Sequence, residues 1–130
     1  MPRFVILEHN HLELHWDFML ECGTVLLTWR FAAAPGPAEA ISATRSFDHR
    51  LIYLDYEGPL TGGRGQVLRW DRGTFTWQLQ APDRVEVQLN GDRLRGLLRL
   101  VQQEGLLWCG QFLADIGGSG SADLVNQPTT

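Results

Sequence analysis

Residues 8–21 read EHNHLELHWDFMLE, and three of the chain's four histidines fall within seven positions there, with an aspartate two residues beyond the last. Neutral imidazole is the commonest protein metal ligand and the usual proton carrier near pH 7. On an extended strand, residues two apart share a face. His15 and Asp17 therefore project together, with Met19 next on that side, while Trp16, Phe18 and Leu20 form an apolar opposite side. His9 ends the preceding strand, and the short NHLE connection lets it return to meet them. His11 falls in that connection and is read as solvent-facing. Two imidazoles and one carboxylate, with coordination positions left open, suit Mn²⁺, Zn²⁺ or Fe²⁺. Such an ion polarises a phosphoryl oxygen or lowers the pKa of a bound water. Spacing alone leaves another reading open, in which these are polar side chains at a strand edge, hydrogen-bonded to their neighbours.

The elements that must position this cluster are short and β-rich. The pattern predicts strands over Arg3–Glu8, Leu12–Glu21, Thr24–Phe31, Leu51–Tyr56, Gln66–Asp71, Thr74–Gln80, Arg84–Leu89, Arg93–Val101 and Leu106–Leu113. Val85, Val87 and Leu89 alternate with Arg84, Glu86 and Gln88, as a half-buried strand requires. Asn90–Asp92 supplies the Asn-Gly pair of a tight hairpin, Asp71–Gly73 is read as a similar turn, and ECGT turns the second strand into the third. Ala32–Arg45, with its prolines and small residues, is read as a loop carrying at most one short helix from Pro37. The expected fold is all-β: a small, closed or nearly closed antiparallel barrel, with a sandwich as the alternative. Residues 1–114 form the single expected domain and 115–130, rich in Gly, Ser and Thr, a flexible tail.

Bulk properties narrow the function. At 130 residues and 44% hydrophobic content the chain can bury one real core. No apolar run reaches the ~20 residues of a membrane span. The start MPRFVILEH is too short in apolar residues for a secretory signal. Cys22 and Cys109 make neither a disulfide framework nor a metal knuckle, so a reduced, cytoplasmic setting is expected. A net charge of −4 argues against a protein that coats DNA or RNA indiscriminately. An arginine-lined pocket for a single phosphate remains compatible with it.

Four segments, FVILEHNHLELHWDFMLE, TWRF, DHRLIYLDYEG and GRGQVLRWDRGTF, resemble in order and spacing the 3′-phosphoesterase domain of bacterial and archaeal DNA ligase D. The resemblance covers most of residues 4–75, with a further likeness in GDRLRGLLRLVQQEGLLWCGQF. It implies a small β-barrel that trims 3′ ends in DNA repair, removing a 3′-phosphate or 3′-terminal ribonucleotide with Mn²⁺ or a similar divalent ion. The metal ligands it implies fall on His9, His15 and Asp17. Its Asp-His pair with a downstream tyrosine matches Asp48, His49 and Tyr53, so it implies that His49 and Tyr53 contact the phosphate and take part in catalysis. The two are four apart and share a face if that segment is extended. Trp29 and Trp70 are expected to pack rather than to bind.

The chain departs from the family pattern at several positions. A phosphate-clamping arginine two residues after the metal aspartate is Met19 here, and a glutamine two before the first histidine is Leu7. A family lysine aligns with Ala33, and an arginine eight residues before His49 aligns with Ile41. The upstream acidic and basic residues used in nucleotide trimming are expected to be missing, as are ligase and polymerase domains, so repair partners would act in trans. Methionine cannot replace the paired donors of a guanidinium. Arg64, in the glycine-rich GGRGQ loop, and Arg45, four before His49, are the candidate replacement phosphate contacts, with Arg30 behind them. Two functions follow: a divergent metal-dependent phosphoesterase acting on 3′ ends or other phosphate esters, or a catalytically impaired module that binds metal and phosphate or nucleic acid. A metal-dependent oxygenase shares the two-histidine, one-carboxylate set, but no 2-oxo-acid site is legible.

Overall fold

A computed structural model describes residues 1–36 and 39–115. Its ten strands are β1 (Arg3–His9), β2 (His15–Cys22), β3 (Val25–Phe31), β4 (Ala40–Arg45), β5 (His49–Arg50), β6 (Gly58–Pro59), β7 (Gln66–Ala81), β8 (Arg84–Gly91), β9 (Arg95–Glu104) and β10 (Leu107–Ala114). Eight of them run in the order β1-β2-β3-β4-β10-β9-β8-β7, and β7 pairs back onto β1 to close an antiparallel barrel. Closure leaves no long sheet edge to pair with another chain. The two-residue β5 and β6 lie outside the ring, against β3 and β7. No helix among the described residues is long and apolar enough to cross a membrane.

Strand parity decides what fills the barrel. Phe4 and Ile6 of β1, Phe18 and Leu20 of β2, and Trp29 and Phe31 of β3 point inward, where they meet Phe75, Val87, Leu89, Leu98, Leu100 and Phe112. Burying side chains of this size contributes about 1.5–3 kcal/mol each before the entropy of ordering them is counted. The other faces of β1, β2 and β3 look outward, and there a second cluster forms from Val5, Leu7, Met19, Leu26, Leu54 and Val67. The chain between β4 and β7 covers that outer face.

The structure differs from the sequence expectations in three segments. Ala40–Arg45 is a strand rather than part of a loop: Ile41 and Ala43 alternate inward with exposed Ala40, Ser42 and Thr44, a period hidden by the small residues. Pro37, where a short helix was expected to start, lies outside the described residues. Leu51–Leu54 is a 3-10 turn, not the start of a strand over Leu51–Tyr56. The segments 66–71 and 74–80 are one strand of 16 residues. Of the expected tail, Asp115 accepts hydrogen bonds from Gln88, and residues 116–130 lie outside the described residues.

Asp71–Gly73 does not turn because Asp71 serves a different turn. A register shift in the β1–β7 pairing redirects the chain there. The Asp71 carboxylate, 2% exposed, accepts the backbone N–H groups of Arg72, Arg93 and Leu94, each at 2.8 Å. It thereby caps the β8–β9 connection. Gly91 must lack a side chain, because a Cβ there would lie 2.5 Å from Asp71 Oδ2. Asp71→Ala leaves these three donors, of which the Leu94 N–H is buried, without an acceptor. It is expected to lower the unfolding free energy by about 3 kcal/mol or more, read as a drop in the urea midpoint at unchanged m-value.

Candidate metal centre

The β1–β2 register places His9 opposite His15 and Leu7 opposite Asp17, and the β2–β3 register places Asp17 opposite Arg30. All five side chains belong to the outward face. One ligand atom from each of His9, His15 and Asp17 lies within 4.8 Å of the others, and all three residues are buried. Asp17 Oδ2 is 3.4 Å from His9 Nδ1 and 3.5 Å from His15 Nε2.

Backbone carbonyls fix the remaining ring nitrogens. His9 Nε2 is 2.8 Å from the Arg64 carbonyl, and His15 Nδ1 is 2.8 Å from the Glu13 carbonyl. A carbonyl only accepts, so each of these nitrogens carries the proton. The neutral rings then turn lone pairs at His9 Nδ1 and His15 Nε2 toward Asp17. His15 Nε2 is buried and has no hydrogen-bond partner. Buried polar atoms are seldom left so. An unpaired nitrogen lone pair beside a second one and a carboxylate is a donor set for a divalent cation, with the carbonyl bonds as the outer support such ligands usually have.

The Gly-rich loop brings the Arg64 carbonyl to His9. Gly65 has φ +71 and packs so closely on the β1–β2 turn that a Cβ would sit 2.5 Å from Asn10 Oδ1. Asn10 Oδ1 in turn accepts the Gln66 N–H at 2.8 Å.

Charge follows this geometry. Burial pushes the Asp17 carboxyl up, but the adjoining His15 and His9 rings, which donate to it once protonated, outweigh that and hold the group at about 2. A proton added at His9 Nδ1 is donated to Asp17, which raises His9 above its ordinary value against the opposing effect of burial. Burial lowers His49.

A cavity of about 350 Å³ opens beside the three candidate ligands and is lined by His9, Asp17, Arg30, His49, Tyr53 and Arg64, among others. Leu7, Met19 and Val67 give it an apolar side. His49 Nδ1 is 2.9 Å from the Phe47 carbonyl and 3.0 Å from Thr28 Oγ1, so its proton sits on Nδ1 and Nε2 is left free. Tyr53 meets the His49 ring edge-on at 5.7 Å, brought there by the 3-10 turn rather than by a shared strand face. The Arg64 guanidinium is held by the Thr61 carbonyl at 2.8 Å and hydroxyl at 3.1 Å.

Arg45 does not line the cavity. Its guanidinium lies 4.7 Å from the Trp29 ring centre and donates to the Thr28 and Ser46 carbonyls. Arg30, half exposed, reaches within 3.9 Å of Asp17. His11, read from sequence as solvent-facing, is only half-exposed: it stacks on His9 at 5.9 Å and lines the cavity. Phe47 and Arg50 also line it and were not singled out from sequence. The only signal for either was adjacency to the Asp48–His49 pair.

Comparison with known proteins now bears on this centre. Residues 7–102 match the DNA ligase D 3′-phosphoesterase domain. The chain belongs to that family. It is 33% identical over 114 residues to the multifunctional non-homologous end joining DNA repair protein LigD of Mycobacterium tuberculosis, covering 81% of this chain and 15% of that protein. The LigD protein of Pseudomonas aeruginosa is 32% identical over 111 residues, covering 77% of this chain and 13% of that protein. The chain thus spans about one-seventh of these relatives. Within the phosphoesterase family pattern, its departures at Leu7 and Met19 both lie on the cavity's apolar side, whereas Ile41 packs inside the barrel and Ala33 is exposed.

Titration with Mn²⁺ followed by calorimetry tests the centre. His15→Ala and Asp17→Asn are each expected to weaken binding by about a hundredfold or more, whereas the outer-support contacts are worth about 10–100-fold. The pH dependence has a definite sign. His9, with its raised pKa, is protonated below that value and must lose the proton to bind, so affinity falls about tenfold per pH unit below it and levels off above. In the metal-free protein the same pair stabilises the fold between the unfolded values of 3.8 for Asp17 and 6.5 for His9. The Asp17 part is lost as pH falls toward 2, and the His9 part as pH rises through its raised pKa.

Proposed function

We propose that this chain is a divalent-metal-dependent phosphoesterase that acts on phosphate esters at the 3′ ends of DNA or RNA during repair, removing a 3′-phosphate or a 3′-terminal ribonucleotide. The observation that carries the reading is the unpaired, buried Nε2 of His15, set against His9 and Asp17 beside a cavity that also holds His49, Tyr53 and Arg64. His9, His15 and Asp17 are the proposed ligands, and Mn²⁺ the proposed ion, with Zn²⁺ or Fe²⁺ as alternatives the donor set accepts. A bound ion there supplies Lewis-acid polarisation of a phosphoryl oxygen and a more acidic water.

The chain's own groups do the rest. His49, held neutral by burial, presents its Nε2 lone pair to the cavity. A phosphate dianion placed beside it raises its affinity for a proton, and the imidazolium so formed donates Nε2–H to the phosphoryl group or its leaving oxygen. Tyr53 orients the His49 ring and offers its hydroxyl to the same anion. Arg64 is the proposed guanidinium contact. The apolar side formed by Leu7, Met19 and Val67 lowers the local dielectric, which strengthens these interactions. Residues 1–114 are the proposed working unit, the proposed setting is the cytoplasm, where the free Cys22 and Cys109 stay reduced, and any partners in repair are the proteins that join the trimmed ends.

Incubation of the protein with Mn²⁺ and a 3′-phosphorylated or 3′-ribonucleotide-terminated primer tests the reading. Release of inorganic phosphate or of the terminal nucleoside is expected. No turnover at high protein concentration, in a sample shown to bind Mn²⁺, would leave a binding module instead. His49→Ala is expected to cost ~10²–10³ in rate while leaving Mn²⁺ affinity within about twofold. Binding of inorganic phosphate near pH 7 should take up a proton, seen as a dependence of the calorimetric heat on the ionisation heat of the buffer. His49→Ala should abolish that uptake.

A further inference from the structure

Phe47 is the single Phe, Tyr or Trp among the described residues whose side chain is exposed, at 73%. The other phenylalanines are in the barrel core, and every tyrosine and tryptophan is at least half-buried. Leaving this one ring in water forgoes the burial that aromatic side chains ordinarily gain. Its position is not random. One face stacks on the His49 ring, 4.6 Å between centres and 10° between planes, and the residue lines the mouth of the cavity. The pose is braced because the Phe47 carbonyl also accepts the His49 Nδ1–H. The second face of the ring is open to solvent.

Charge at the mouth is positive. Arg30, Arg50 and Arg64 line the cavity with the histidines, against the carboxylates of Asp17 and Asp48. Neither Arg50 nor Arg64 has an acidic partner among the described residues, although the chain as a whole carries a net charge of −4. A flat, rigidly held aromatic face beside unpaired guanidiniums is what binds unpaired nucleotides: the base stacks and the phosphate meets the cation.

We propose that Phe47 is a stacking platform for the base of the terminal nucleotide, so that the site prefers a 3′ end that still carries its last base over one that is abasic. The inference rests on the 3′-end reading given above and deepens it by naming what holds the nucleoside while its phosphate lies deeper in the cavity. Stacking is insensitive to base identity, because every base has a π-face. The four bases are therefore expected to bind alike. A terminal nucleotide that stays paired and stacked in duplex cannot lie on the ring, so a frayed or single-stranded end is the favoured form.

The test is binding, independent of turnover. Single-stranded oligonucleotides ending in a non-hydrolysable 3′-methylenephosphonate, with the terminal base present or replaced by an abasic residue, are titrated with the full chain and Mn²⁺ and followed by fluorescence anisotropy. Stacking by one base, about 1–3 kcal/mol, corresponds to roughly 5–150-fold in affinity. The wild type should therefore prefer the base-bearing end by about tenfold. Phe47→Ala should bring that ratio close to one, and Phe47→Trp should keep it. If Phe47 only shields His49, Phe47→Ala weakens both ligands equally and the ratio persists, which overturns the platform. A wild type that binds both ends tightly but without preference also overturns it, while leaving the 3′-end reading intact. A wild type that binds neither end overturns both.

Discussion

The pleat of two paired strands is the constraint on which the candidate centre depends. β1 and β2 each bury one side in the barrel through Phe4, Ile6, Phe18 and Leu20. A slip of one residue in either strand would move every side chain to the opposite face. His9, His15 and Asp17 face outward together because the aromatic core holds that register. The geometry of the three candidate ligands is therefore set by packing on the far side of the same strands. The turn between them accommodates this register at Leu12, an exposed residue forced to φ +63, a conformation that ordinarily costs a non-glycine residue about 1 kcal/mol or more.

Register alone would leave the imidazoles free to rotate or to exchange their protons between nitrogens. Two loops remove that freedom: the Glu13 carbonyl fixes His15 and the Arg64 carbonyl fixes His9. The Phe47 carbonyl does the same for His49. All three rings on this face thus have one nitrogen committed to the backbone, and the other nitrogens of His9 and His15 turn to the same carboxylate. Loops rather than strands set the tautomers, so the centre is sensitive to changes in segments that contribute no ligand, such as the glycines around Arg64.

How much of this was legible in the sequence follows from the length scale of each signal. Parity on β2 separated His15 and Asp17 from Trp16, Phe18 and Leu20 correctly, because period-two alternation needs only local backbone geometry. The barrel class was legible for the same reason, from several short alternating segments divided by turn residues. Ala40–Arg45 was not, since alanine, serine and threonine carry almost no hydrophobic contrast for the pattern to show. Asp71–Gly73 misled in another way. Its composition suits a turn, yet the aspartate is used at long range to cap a connection some twenty residues away. The 3-10 turn at Leu51–Leu54 and the half-burial of His11 depend on how the segment between β4 and β7 folds over the outer sheet face, which no local pattern encodes. The resemblance to the ligase family added what spacing lacked: that the Asp48–His49 segment belongs to the same cavity as the histidine cluster.

The apolar side of that cavity gives the departures at Leu7 and Met19 a structural meaning. Both side chains join Val5, Leu26, Leu54 and Val67 in a buried cluster that also anchors the covering segment. A polar or charged side chain at either position would have to lie in that cluster or displace it, at a cost of several kcal/mol if left unpaired. The cations at this cavity come instead from neighbouring elements: Arg30 from β3, Arg50 from the end of β5 and Arg64 from the glycine-rich loop. Arg30 stands on a barrel strand as a β2 residue would, whereas Arg50 and Arg64 sit on exposed segments outside the ring. The chain has kept the part of the centre that must be rigid, the three candidate ligands and their carbonyl braces, on the barrel. The guanidiniums that line the cavity stand around that centre, on β3, β5 and the glycine-rich loop.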